Sequence, residues 1–191
     1  MENRIDFSGI EHKLDMALTS PEYALLVERF KAAKKIFIIG NGGLHFVGSH
    51  GATDMTRLIP GKAVYSFDSV GFITSNVNDH GGDNLFLRWL ECTILGIERP
   101  LETLVIGTSC SGNSTNIITA LTWAHYNAFR TFLISGMPSV SLPGEIDEVT
   151  FGSSSFHMAE VLTLMLFYDL IEKTGNHCPT IEEENKRKGF I

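Results

Sequence analysis

A chain of 191 residues, 43% of them hydrophobic and with a mean hydropathy of +0.09, carries enough apolar material for one packed domain and too much for a disordered one. A net charge of −7 leaves no basic stripe to meet a phosphate backbone, which excludes nucleic acid as the main ligand. The apolar runs are too short and interrupted to span a membrane, and Cys92, Cys110 and Cys178 share no CxxC spacing, so a reduced, cytoplasmic setting is expected.

The first residues, Met1 to Asp6, hold no apolar core and do not read as a signal peptide. Ile10, Leu14 and Ala17 recur at helical spacing. Ser20-Pro21-Glu22 then supplies a cap and a proline at the first helical position, with Leu25, Leu26 and Phe30 as the buried stripe of a second helix. From Lys35 onward the pattern alternates. Strands are predicted at 36–39, 63–65, 104–106, 131–134 and 148–151, with helices filling most of the gaps. One such helix runs from Leu44 to Leu58, another from Ser114 to His125, and the last opens near His157 after three serines. The stretch from Ser75 to Asn84, with its asparagines, aspartates and glycines, reads as a polar loop. Glu182 to Lys188 reads as a solvated tail. Strands alternating with helices predict right-handed crossovers, hence an α/β three-layer sandwich on a flavodoxin-like parallel five-stranded sheet.

Such sheets bind ligands beyond the carboxyl ends of their strands, where the strand order reverses. In a flavodoxin-like order the first and third strands are neighbours there. The first ends in Gly40-Asn41-Gly42-Gly43 and the third in Thr108-Ser109-Cys110-Ser111-Gly112-Asn113-Ser114, so two ligand-type loops face one crevice. The second loop brings hydroxyls, backbone amides and a positive helix end to one point, a cradle for phosphate that needs no lysine or arginine. The glycines of the first loop do not make a nucleotide site. A dinucleotide fingerprint needs glycine where His45 stands, and Gly61-Lys62 is followed by Ala63 rather than Ser or Thr. No nucleotide cofactor is expected.

His50 and Asp54 lie four residues apart and share one helical face, a spacing that more often serves a capped or salt-bridged surface pair and can also hold a metal ion or a substrate. Asp79, beside Asn78, reads either as a turn residue or as a carboxylate for sugar hydroxyls. His157 reads as a satisfied histidine near a helix start, and Met165 as core.

Gly40-Asn41-Gly42-Gly43, Asn78-Asp79 and the loop from Thr108 to Ser114 occur in the order and spacing of the sugar isomerase (SIS) domain, and the chain resembles the phosphoheptose isomerase subgroup, aldose–ketose isomerases of sedoheptulose 7-phosphate, from about Ser20 to Glu172. The resemblance implies N-terminal helices over 1–34, an SIS domain over 35–174 and a C-terminal extension over 175–191. It implies a phosphorylated sugar held by Ser109, Ser111 and Ser114 with the backbone around Cys110 and Asn113. Asn41, with Gly42 and Gly43, and Asp79 would complete the substrate contacts. In that family a metal, typically zinc, sits on a His and a Glu four apart plus a Gln and a His on the last helix. His50 and Asp54 fall on the first pair and His157 on the glutamine, so the resemblance implies one divalent metal at His50, Asp54 and His157, and proton transfer by Asp54 or His157.

Three positions depart from the family pattern. The serine after GNGG is Leu44, the catalytic glutamate is shortened to Asp54, and the second helix histidine is Met165. The broad apolar surface of the last helix, from Val161 to Leu170, points to a homodimer or homotetramer. The alternative is a non-catalytic member of the family, a phosphosugar sensor or an assembly or regulatory protein.

Overall fold

The computed structural model describes residues 6–94 and 100–190; the start of the amino-terminal stretch read above lies outside them. Two helices come first, α1 (Ile10–Leu18) and α2 (Pro21–Ala32). The cap of α2 forms as its sequence predicts: the Ser20 side chain accepts from the Tyr23 amide and Pro21 occupies the first turn. Five strands follow, β1 (Lys35–Gly40), β2 (Ala63–Ser66), β3 (Thr103–Ser109), β4 (Arg130–Ser135) and β5 (Asp147–Thr150). They form one parallel sheet in the order β2-β1-β3-β4-β5. Lys35 pairs with Ala63 on one side and with Thr103 on the other, so β1 and β3 stand side by side and their loops open together.

The central strands read as continuous apolar runs because both sheet faces are covered. Successive side chains alternate between two cores. Ile36, Ile38, Leu104, Ile106, Phe132 and Ile134 face a cluster completed by α1, α2, α3 (Gly43–Leu58) and α7 (Phe156–Lys173). Phe37, Ile39, Val105 and Leu133 face a second cluster completed by α5 (Leu85–Ile94) and α6 (Thr115–Tyr126). The three-layer sandwich is therefore as the alternation predicts. Helix α7 starts where Ser155, the last of the triple serine, accepts from the Met158 amide.

Two segments differ from their sequence reading. Residues 75–80 are helical, not loop: α4 (Val70–His80) is capped by Ser69, which accepts from the Phe72 amide, and ends at Gly81 with φ 78°. The helix lies on the surface with no residue fully buried, so its composition resembles a loop although Phe72 and Ile73 pack on the second core. Near the carboxyl end, α8 (Ile181–Arg187) forms on a reciprocal Thr180–Glu183 capping box. Lys186 pairs with Glu182 and Arg187 with Glu184 along it.

Candidate functional site

The carboxyl ends of β1 and β3 build the site. After Gly40 the chain turns through Gly42, whose φ of 54° and ψ of −125° suit glycine alone, and enters α3 without a side-chain cap. After Ser109 the second loop turns at Gly112, φ 72°, whose missing side chain lets it lie against the Met137 carbonyl and Ser139. Asn113 fastens this arrangement, its Oδ1 accepting from the Val140 amide at 2.9 Å and from Ser139 Oγ at 3.2 Å. Glu148 holds the facing loop in turn, accepting from Ser135 Oγ at 2.5 Å and from the Ser139 amide at 3.0 Å.

Between the two loops lies a cavity of about 220 Å³. Ser109 Oγ sits 3.0 Å from Ser114 Oγ and 3.5 Å from Ser111 Oγ, so three hydroxyls converge on one wall with Thr108 and Cys110. Ser114 precedes α6 but its side chain does not cap it, which leaves first-turn amides to an anion. Asn41, Gly42, Gly43 and Leu44 form the opposite wall, and Phe156 and Glu160 of α7 close a third side. Among the described residues no lysine or arginine lines the cavity. The Cys110 thiol is pushed up from its usual range, first by burial and then by the negative charge of Glu160.

The structure brings Asn41, Gly42, Gly43, Ser109, Cys110, Ser111 and Ser114 together around this cavity. Asn113 stands behind it as a brace. Asp79 does not line it; at the end of α4 its carboxylate accepts from Asn78 Nδ2 at 2.8 Å.

The expected metal ligands do not converge. His50 Nε2 lies 3.3 Å from Asp54 Oδ2 and 2.9 Å from the Tyr168 hydroxyl, and Arg57 donates to Asp54 at 3.1 Å. His157 instead faces Glu160, its Nδ1 3.7 Å from Oε2. Along α7, His157 and Tyr168 are eleven residues, about 16 Å, apart, so the imidazole that meets Glu160 cannot reach the ion that His50 and Asp54 would hold. Among the described residues no group of three His, Cys, Asp or Glu side chains is placed to hold a metal ion. The residues present within one chain do not fit the implied zinc site.

Three site residues escaped the sequence reading. Asn116 exchanges two amide hydrogen bonds with Asn41, at 2.9 and 3.0 Å, and ties α6 to the first loop. Glu160 and Phe156 line the cavity from α7. The available signal for Glu160 was its place three residues after His157, which puts both on one helical face.

No family model matches the chain. It is 34% identical over 116 residues to the phosphoheptose isomerase of Buchnera aphidicola, a match covering 59% of this chain and 57% of that protein. It is 32% identical over 127 residues to the phosphoheptose isomerase of Yersinia enterocolitica, covering 64% and 63%. The chain thus spans about six-tenths of the length of the curated relatives it matches. A solved phosphoheptose isomerase from Francisella tularensis superposes with a TM-score of 0.71 at 19% identity, over 87% of this chain and 90% of that one. The chain thus has the fold of that solved phosphoheptose isomerase, and over about six-tenths of its length its sequence is similar to those of phosphoheptose isomerases.

Proposed function

We propose that this chain binds a phosphorylated sugar between the β1 and β3 loops and interconverts its aldose and ketose forms, as its phosphoheptose isomerase relatives are named for doing. One observation carries the reading: Ser109, Ser111 and Ser114 converge at the side-chain-uncapped start of α6 in a cavity that also holds an ionisable group. Hydroxyls and helix amides neutralise phosphate without a cation, and the remaining cavity is left for the sugar. Asn41, Gly42 and Gly43 then face the substrate, with residues 35–174 as the unit that carries the site. No step runs through a metal at these three residues, since His157 stands apart from the His50–Asp54 pair.

Sedoheptulose 7-phosphate at one hundred times its Kd stabilises a folded protein by about 2.7 kcal/mol, which for a chain of this size raises Tm by roughly 5–10 °C. Ser111→Ala removes most of that rise while leaving the ligand-free Tm in place, and NMR follows conversion of the ketose to the aldose. A full rise in the variant overturns the phosphate assignment. A rise without conversion in the wild-type protein returns the chain to a non-catalytic phosphosugar sensor.

The functional unit is a homodimer or homotetramer. This is supported by Val161 and Met165 on α7, 40% and 39% exposed, with Phe156 exposed at the start of that helix and Phe46 exposed on α3. Light scattering that finds a monomer at micromolar concentration refutes it. Three free cysteines suit a reducing, cytoplasmic setting.

A further inference from the structure

Glu160 is the one carboxylate among the described residues that line the serine cavity. Its place is built rather than incidental. A Cβ on Gly43 would fall on Oε1 and Cδ of Glu160 and come within 2.8 Å of Oε2, so a residue without a side chain is what lets the carboxylate rest over the first turn of α3. A negative group at a helix start is favourably placed. The serines occupy the start of α6 instead, so the cavity has one end suited to phosphate and another that carries a base. The Glu160 side chain is 28% exposed, and His157 braces it from the preceding turn at 3.7 Å.

We propose that Glu160 is the general base of the isomerisation and that His157 is its positioning residue. This rests on the phosphosugar reading above. Starting from the ketose, the carboxylate takes a proton from C1. The C–H electron pair becomes the C1=C2 bond and the carbonyl pair moves onto O2. A proton passes from O1 to O2 within the enediolate. The O1 pair then forms the aldehyde, and the C1=C2 pair takes the proton back from Glu160 at C2, restoring the carboxylate. The product is an isomer of the substrate, with nothing consumed. Asp54 stands outside this route: it is engaged with His50 and Arg57 and does not line the cavity.

The full chain is incubated with sedoheptulose 7-phosphate in D2O, and aldose formation and deuterium entering the sugar are followed by NMR. Glu160→Gln is expected to lower both by roughly 10²–10⁴-fold, the usual worth of a positioned base, while keeping the thermal rise given by the same sugar phosphate. Glu160→Asp keeps the charge and recovers part of the rate, which guards against a folding artefact. His157→Gln lowers kcat more than KM, because the carboxylate loses the contact that positions it while substrate binding stays with the serine loop. Undiminished deuterium entry in Glu160→Gln overturns the proposal. So does loss of the thermal rise with the rate, which makes Glu160 a binding group, and so does loss of exchange in Asp54→Asn but not in Glu160→Gln. No thermal rise in the wild-type chain overturns the phosphosugar reading itself, and this inference with it.

Discussion

Gly43→Ala separates fold from function at a single methyl group. The new Cβ overlaps Oε1 and Cδ of Glu160 and lies 2.8 Å from Oε2, where ordinary contact begins at 3.4 Å. These atoms are the end of a flexible side chain, so the carboxylate retreats by about 1 Å while the backbone stays in place. An off-rotamer side chain costs about 0.5–1.5 kcal/mol. Replacing glycine by alanine at a compatible backbone conformation returns about 0.4–1 kcal/mol by restricting the unfolded chain. The two nearly cancel, and urea denaturation should place the variant within about 1 kcal/mol of wild type. Catalysis is less forgiving, because a misplacement of about 1 Å can cost about 10²-fold in rate. The expected result is unchanged Cm and unchanged phosphate-induced thermal rise, with deuterium exchange into the sugar phosphate reduced about a hundredfold. A variant that exchanges at the wild-type rate refutes the role given to Glu160. One that loses more than about 3 kcal/mol refutes the packing argument, because it would mean that the backbone and not the side chain had to move.

Gly112→Ala should behave in the opposite way: its φ of 72° costs a side chain about 1–2 kcal/mol, and its Cβ meets the Met137 carbonyl and the Ser139 backbone, adding about 1–3 kcal/mol, so denaturation should show a loss of about 2–5 kcal/mol with loss of phosphate binding. Tyr23→Phe removes a buried hydroxyl that donates to Asp169 and whose pKa is raised by burial and then by that bond; a loss of about 1–3 kcal/mol in urea is expected, and less than about 0.5 kcal/mol refutes it. The tail carries a pH-dependent clasp. His177 lies 3.1 Å from Glu183 and 3.3 Å from Glu172, and its pKa is raised from 6.5, first by the Glu183 bond, so its stabilisation is complete below about 6.5 and lost as pH rises through the raised value. Glu183 is lowered from 4.5, first by the Thr180 amide and then by His177, so its share is present above about 4.5 and lost as pH falls below that. Amide exchange of α8, corrected for intrinsic rates, should be slowest between those values, and His177→Asn should flatten the profile above pH 6.5.

The strand runs at 36–39, 104–106 and 131–134, the Ser20-Pro21 cap and the hydroxyl-rich loop after β3 are legible in the sequence because each is a local pattern. Periodicity, capping and turn chemistry act within a few residues, and the alternation of strand and helix then leaves few ways to stack the layers. Asn78-Asp79 misled for the same reason: Phe72 and Ile73, which pack the helix on the second core, precede the segment read as loop, and residues 75–80 are polar apart from the exposed Val77. What the tertiary structure alone decided is which side chains of α3 and α7 meet. Gly51 lies against the Phe167 ring and Gly43 against the Glu160 carboxylate, so the two helices cross at two side-chain-free positions. That crossing delivers Glu160 to the serine cavity, sets Tyr168 against His50 and keeps His157 from Asp54. Residue spacing measures distance along one helix. The distance between two helices depends on how closely their backbones approach, and here two side-chain-free positions of α3, Gly43 and Gly51, meet residues of α7 far along the chain and allow that approach.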